Sequence, residues 1–331
     1  MEIKNILFCS VGRRGQLLKD FRQSVANCLL LATDNSPFAP ALYFADKQFL
    51  APPIDDINYI NYILDLCEKE NVGVITTLID PEIEVLSKNR KLFLDRGILP
   101  LCPSEETANL CFDKFKMFEY LKKHDILTVL TYDNLISFEE GLNKGEIFFP
   151  VFVKPRTGSG SVGASKILNM LELKERLRDN STQYIIQELM VGNDLDADVY
   201  VDCISNKPVA IFSKRKLETK IGGASKTISF KDERLFEFIK LILDKFEFYG
   251  SIDMDFFYKD GEYYLSEINP RFGGAYLHAY GAGVDFYKLI INNLNGVKNE
   301  SIIGNYEEDV IMMMYDDVVI KKKSDLVQNI Q

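Results

Sequence analysis

The first hundred residues repeat one unit, and that repeat constrains the fold more than any other feature of the chain. Strand-like apolar runs at 3–9, 28–32 and 72–78 alternate with stretches of helical spacing at 16–25, 57–69 and 81–93, before a short apolar segment at 99–102. Strands separated by helices at these intervals predict a parallel sheet with crossover helices. Ligands of such sheets sit beyond the carboxyl ends of the strands. The loops at 10–15, 33–40 and 77–82 therefore form the expected rim. On it, Arg13, Arg14, Asp80 and Glu82 are candidates for substrate selection, Arg13 for a carboxylate and Asp80 or Glu82 for an amine.

Beyond Pro103 the rhythm changes. Residues 105–124 read as one long helix entered at Pro103-Ser104, and from 148 onward β-branched and aromatic runs dominate, at 149–154, 164–167, 184–187, 195–203 and 208–213. A helical stretch at 232–246 then leads into a hairpin, 250–258 and 262–269, and a last helix at 285–294. Strand-rich sequence carrying a few helices predicts an α+β module with a largely antiparallel sheet.

Gly158, Gly160 and Gly163 complete a G-x-G-x-x-G pattern after the strand 150–154. A dinucleotide fingerprint would have to open a helix. The residues that follow, Ala164-Ser165-Lys166-Ile167, read as a second strand, and Asp179 is not at a strand tip, so the oxidoreductase reading fails on context. A glycine loop between two strands suits a flap whose N–H groups face phosphates, helped by the hydroxyls of Thr157, Ser159 and Ser161, with Lys154 placed to meet phosphate charge. A plain flexible hairpin is the competing reading.

The hairpin at 250–269 carries Asp253, Asp255, Glu267 and Asn269, followed by Arg271. Side chains alternate along a strand, so the connecting turn decides whether the two acidic strands look the same way. A two-residue turn at Asp260-Gly261 would pair Tyr258 with Tyr263 and turn Asp255 away from Glu267. A three-residue loop, Lys259-Asp260-Gly261, would pair Tyr258 with Glu262 and bring Asp255, Glu267 and Asn269 to one face, and this second register is the expected one. Three oxygen donors without histidine or thiol suit Mg²⁺, with Mn²⁺ as an alternative, and Arg271 adds a bidentate donor beside them. A hairpin with merely exposed acids competes with this reading.

Composition removes other classes. Lys+Arg total 39 against 49 Asp+Glu, a formal charge of −10, and no dense basic block precedes Lys321-Lys322-Lys323, which argues against a nucleic-acid partner. The six cysteines form no CxxC pair, and only His124 and His278 exist, so zinc, disulfide and histidine-based nucleophilic schemes lose support. No apolar run approaches the ~20 residues of a membrane span, and the start lacks the features of a signal peptide, so a cytoplasmic protein without a membrane partner is expected.

Taken in order, Asp113-Lys114, the run 149–155, the glycine loop, Gln187-Glu188-Leu189-Met190-Val191-Gly192 and Glu267-Ile268-Asn269-Pro270-Arg271 resemble the ATP-grasp ligases, in particular one module of the carbamoyl-phosphate synthase large chain. The resemblance covers most of the chain. It implies a pre-ATP-grasp α/β domain at 1–102 and an ATP-grasp domain at 103–331, divided into 103–212 with the lid and glycine loop and 213–331 with the metal-binding core. It further implies ATP and Mg²⁺ as cofactors. Lys114 and Lys154 would hold phosphates, with Ser159, Gly160 and Ser161 in the flap. Glu188 and Met190 would receive adenine, and Asp194 the ribose. Asp255, Glu267 and Asn269 would ligate the metal, and Arg271 would act at the transferred phosphate. Arg215 and His278 join Arg13, Asp80 and Glu82 as substrate candidates, and Lys214 competes with Arg215 for the phosphates. The implied activity is a carboxylate–amine ligase acting through an acyl phosphate on small-molecule substrates, with a homodimer as a further expectation. A split half of a carbamoyl-phosphate synthase large chain and a non-catalytic ATP-binding regulatory subunit are the alternatives.

Overall fold

The alternation of the first hundred residues becomes a five-stranded sheet. The computed structural model describes residues 4–158, 162–178, 182–220 and 223–328. In chain order the first unit holds β1 (Asn5–Cys9), α1 (Gly15–Ser24), β2 (Leu30–Asp34), β3 (Lys47–Leu50), α2 (Tyr59–Lys69), β4 (Val72–Thr77), α3 (Asp80–Lys88), α4 (Arg90–Leu94) and β5 (Leu99–Pro100). The strands lie in the order β3-β2-β1-β4-β5, and every pair is parallel. Alternate residues of β1 serve two cores. Leu7 and Cys9 pack with Tyr59, Ile63 and Ile83 on one face. Ile6 and Phe8 pack with Leu17 and Phe21 on the other. That second core continues across the molecule, where the rings of Phe8 and Phe272 lie 6.1 Å apart and those of Phe21 and Tyr287 5.1 Å apart. Burying large apolar side chains at about 1.5–3 kcal/mol each welds the first unit to the rest of the chain.

The expected single helix after Pro103 is two, α5 (Glu105–Phe112) and α6 (Lys114–Lys123). The apolar period runs on through Asp113, but Asp113 takes an extended conformation and its carboxylate accepts from the backbone N–H groups of Phe115 and Lys116. An N-cap of this kind starts a new helix and so breaks the old one.

Next come β6 (Thr131–Tyr132), α7 (Leu135–Lys144), β7 (Val151–Pro155), β8 (Ser165–Ile167), α8 (Met170–Arg176) and β9 (Tyr184–Glu188). They build a four-stranded antiparallel sheet, β6-β9-β7-β8, over a core of Phe138, Val151, Val153, Leu173 and Ile186. The glycine loop connects the antiparallel pair β7 and β8, as a flap requires and a dinucleotide fold does not.

The rest of the chain gives β10 (Asn193–Val201), β11 (Pro208–Lys220), β12 (Gly223–Phe230), α9 (Glu233–Leu243), β13 (Gly250–Lys259), β14 (Glu262–Asn269), α10 (Tyr276–Gly281), α11 (Phe286–Leu294) and β15 (Ile311–Met313). A six-stranded antiparallel sheet runs β14-β13-β10-β11-β12-β15. The four-stranded sheet ends at Glu188 and this one begins at Asn193, so the break expected at 212/213 falls inside β11. Period-two alternation splits the large sheet. Leu195, Ala197, Val199, Ile252, Met254 and Phe256 are buried in one core with Leu235, Phe236 and Ile239 of α9. The other face is charged.

Candidate functional site

The charged face depends on the β13–β14 hairpin. Its turn has two residues, not the expected three: Asp260 and Gly261 both have positive φ, 53° and 89°, and Lys259 pairs with Glu262 and Tyr258 with Tyr263. Asp-Gly favours this turn because aspartate tolerates, and glycine prefers, the left-handed region. Continued without interruption, that register would turn Asp255 away from Glu267. The ladder instead shifts between Asp255 and Phe256, so that Phe256 pairs with Leu265, Asp255 with Glu267, and Ser266 is the extra residue of a bulge. Asp253 then lies opposite Asn269. Asp255, Glu267 and Asn269 therefore share a face, by a bulge rather than by loop length.

Neighbouring strands extend the pattern. Asp196 pairs with both Asp255 and Lys214, and Asp198 with Asp253. Lys214, fully buried, lies 3.1 Å from Asp196 Oδ1 and donates to Asp198. Burial alone would lower its pKa, but Asp196 and Asp198 raise it, so it stays charged. Carboxylate oxygens of Asp196, Asp198 and Asp253 lie within 4.8 Å of one another, and Lys214 already supplies the cation there. Gly273 closes over this cluster: a Cβ at that position would sit 2.6 Å from Asp198 Oδ1 and 2.7 Å from Asp253 Oδ1. Asp196 and Asp198 went unread in the sequence. The signal was there, in the alternation Asp194-x-Asp196-x-Asp198 matched by Lys214-x-Lys216 on the partner strand.

Toward the four-stranded sheet the same face opens. Lys216 Nζ is 2.5 Å from Asp255 Oδ1 and 2.9 Å from Asp194 Oδ1. Burial raises Asp255 to about 6, with Asp253 and Glu267 adding to the rise and Lys216 opposing it. Burial acts on Glu267 in the same sense, but Lys154 and Lys114 outweigh it and hold that carboxyl below its ordinary value. Lys114 Nζ lies 3.3 Å from Glu267 Oε1 and donates to Gly158 O at 2.5 Å. Its position follows from the helix break. Asp113 caps α6 and takes Arg156 Nε on both oxygens at 2.8 and 2.9 Å, while Lys114 N donates to Arg156 O, so the first residue of α6 is fixed beside the end of β7. Lys154, on β7, is lowered by burial and by Lys114 and raised by Glu267 and Asp255, which places it in the same charge group.

Glu188 ends β9, its carboxylate 2.5 Å from Lys259 Nζ, and Met190 is half-buried in the connection to β10. That connection runs close to β13: a Cβ on Gly192 would meet Tyr258 O at 2.4 Å. The flap residues Ser159, Gly160 and Ser161 lie outside the described residues.

Arg271 joins the two units. Its Nη1 donates to Asp253 Oδ2 at 2.9 Å, and its Nε and Nη2 reach Asp80 of the first unit at 2.9 and 3.2 Å. Arg14 crosses in the other direction, Nη2 donating to Gly273 O at 2.6 Å; burial and the nearby Arg271 pull it down to about 10.

Four substrate candidates fall elsewhere. Arg13 is exposed and 3.8 Å from Asp316, while Arg14 points inward in its place. Glu82 is fully buried, held by Tyr59 and by Thr77 Oγ1 at 2.5 Å, so it braces the rim from inside. Arg215 has the opposite strand parity to Lys214 and Lys216, pairs with Leu195, and lies over the Phe230 ring. His278 is 2% exposed, bonded to Thr227 Oγ1 at 2.7 Å and packed on Phe212, and burial with Lys214 lowers it to about 4.

The open part of the face fits a hard divalent ion. Its donors are oxygen only, and Asn269, 9% exposed, makes no side-chain hydrogen bond among the described residues. Asp255, Glu267 and Asn269 are the residues that would hold it.

Two segments of the chain match known family models. Residues 6–101 match the PylC-like N-terminal domain, and residues 111–275 match the ATP-grasp domain. A formate-dependent phosphoribosylglycinamide formyltransferase of Sulfurovum sp. is 22% identical over 256 residues, 73% of this chain and 63% of its own length. A carbamoyl phosphate synthase large chain of Clostridium botulinum is 22% identical over 78% of this chain but only 27% of its own. The chain thus spans less than two thirds of the curated relatives it matches. The ADP-complexed N5-carboxyaminoimidazole synthetase of Staphylococcus aureus has the same fold, with a TM-score of 0.73 at 18% identity, covering 91% of this chain and 80% of that one. Among the described residues no helix is long and apolar enough to cross a membrane.

Proposed function

We propose that this chain, which carries an ATP-grasp domain behind a PylC-like N-terminal domain, is an ATP- and Mg²⁺-dependent carboxylate–amine ligase working through an acyl phosphate. The observation that carries the reading is the bulge-set juxtaposition of Asp255 and Glu267, with Lys114 at the start of α6 paired to Glu267 and Lys154 of β7 lowering its pKa through its charge.

When bound by Asp255, Glu267 and Asn269, Mg²⁺ supplies charge neutralisation and a template for phosphate oxygens. The chain's own residues do the rest. Lys114 exchanges its pairing with Glu267 for the phosphates and Lys154 joins it there, so the positive charge is in place before the nucleotide arrives. Glu188 and Met190 border the adenine end, and Asp194 stands by the ribose. The glycine-rich connection between β7 and β8 is the segment to which we assign the exclusion of water from an intermediate that water would destroy. Arg271 orients the acid: its carboxylate oxygen bonds to the γ-phosphorus as the bond to the β,γ-bridging oxygen breaks and ADP leaves. The amine then attacks the acyl carbon, the C–O bond to phosphate breaks, and the amine proton is released. Catalysis of this kind is positioning and electrostatic stabilisation, and no acid–base histidine is needed.

A panel of acids and amines screened for Mg²⁺-dependent ADP release tests the reading, with hydroxylamine added to trap the acyl phosphate as a hydroxamate. Glu267→Ala should lower turnover by about 10²–10³-fold with an unchanged melting curve. Full activity in that variant would defeat the metal assignment. ATP bound but never consumed with any substrate would favour a regulatory subunit instead.

A further inference from the structure

Arg271, the guanidinium assigned to the reacting acid, is already occupied. Asp80 faces two of its nitrogens, Nη2 donating to Oδ2 at 3.2 Å and Nε lying 2.9 Å from Oδ1, on the side of the guanidinium that a carboxylate ligand would use. Nη1 is divided between Asp253 Oδ2 at 2.9 Å and Phe272 O at 3.1 Å. The Arg271–Asp80 pair is largely shielded, with side-chain exposures of 13% and 18%. Asp80 also lines a narrow cleft, together with Glu84, Glu267 and Asn269 and the apolar Ile83 and Pro270.

An acid that is to be activated must take the Asp80 side of the Arg271 fork. For a simple carboxylate the exchange is poor, because it strands Asp80 in a half-buried position with no cation. For a zwitterion the exchange is balanced: the carboxylate replaces Asp80 on Arg271, and the ammonium beside it pairs with Asp80. We propose that Asp80 is the residue that determines acid specificity and that the acid activated here is an amino acid. This rests on the ligase reading and narrows its substrate class. Glu84 and Glu267 on the same cleft disfavour acidic side chains, and Ile83 with Pro270 gives an apolar side chain a wall.

The test uses the full chain, Mg²⁺ and matched probes: alanine with propionate, leucine with 4-methylpentanoate, and lysine with 6-aminohexanoate. Binding is read as a thermal shift in the presence of a non-hydrolysable ATP analogue, and turnover as ADP release. Wild type should bind at least one amino acid at least 10-fold more tightly than its deaminated partner. Asp80→Asn, close in size, should cut that preference below threefold through KM, with kcat changed less than threefold. A preference retained in Asp80→Asn, an equal loss for both partners, or no binding of either set would overturn the proposal. Binding with the expected preference but without ADP release would leave the proposal standing and defeat the ligase reading.

Discussion

Two charge clusters share one face of the six-stranded sheet, and they differ in what surrounds them. Around Lys214, the carboxylates of Asp196, Asp198 and Asp253 are buried, with side-chain exposures of 6, 0 and 10%, and are matched by cations the chain itself supplies. Around Glu267, the carboxylates of Asp255 and Glu267 keep 25 and 24% side-chain exposure and face lysines from other elements. The residue types are the same. In the first cluster Gly273 has closed the lid and no partner can be exchanged. In the second, the carboxylates stay partly exposed and Glu267 borders a cleft, so its pairing can be traded for a ligand. Charge marks a functional site only where its pairing can be undone.

The contrast predicts separable effects. Lys214→Met should destabilise the fold by about 3–5 kcal/mol, because it leaves buried carboxylates without a cation; a urea-melt midpoint like that of wild type would erase the distinction. The closed cluster should also impose a pH dependence through His278. Its folded pKa, about 4, lies below the ordinary value near 6.5, so the unfolded chain binds the extra proton. Stability is therefore full above pH 6.5 and falls by up to about 3 kcal/mol as pH drops toward 4. His278→Gln should flatten that part of the profile. In the open cluster, Lys154→Met should raise the KM for ATP about 10–100-fold, the worth of one charge-assisted hydrogen bond, and shift the melting temperature little. Arg215→Ala, on the opposite face, should change stability by no more than about 0.5 kcal/mol and leave KM for ATP unaltered.

Much of this was legible in the sequence because it is local. The parallel unit followed from strand and helix periods at 3–9, 16–25 and 28–32, and the β7–β8 pairing from the strand that follows Gly163. What escaped was set at a distance. Ser266 is an ordinary residue in an alternating strand, and only the partner strand makes it a bulge. Asp113 interrupts a helical period that its neighbours continue, and its capping role shows only once Arg156 is placed beside it. Glu82 sits two residues after Asp80 on the same rim, yet helical rotation turns it into the core among Tyr59 and Thr77. The carboxylates of β10 look like a solvated run until β11 lays Lys214 and Lys216 across them.

The central claim is that the open cluster, and not the closed one, holds the metal–nucleotide complex. Paramagnetic relaxation of water protons by Mn²⁺·ATP, titrated into wild type, Glu267→Gln and Asp196→Asn, tests it directly. The account predicts binding weakened at least 10-fold in Glu267→Gln and within threefold of wild type in folded Asp196→Asn. Unchanged binding in Glu267→Gln, or the loss appearing in Asp196→Asn instead, would contradict it.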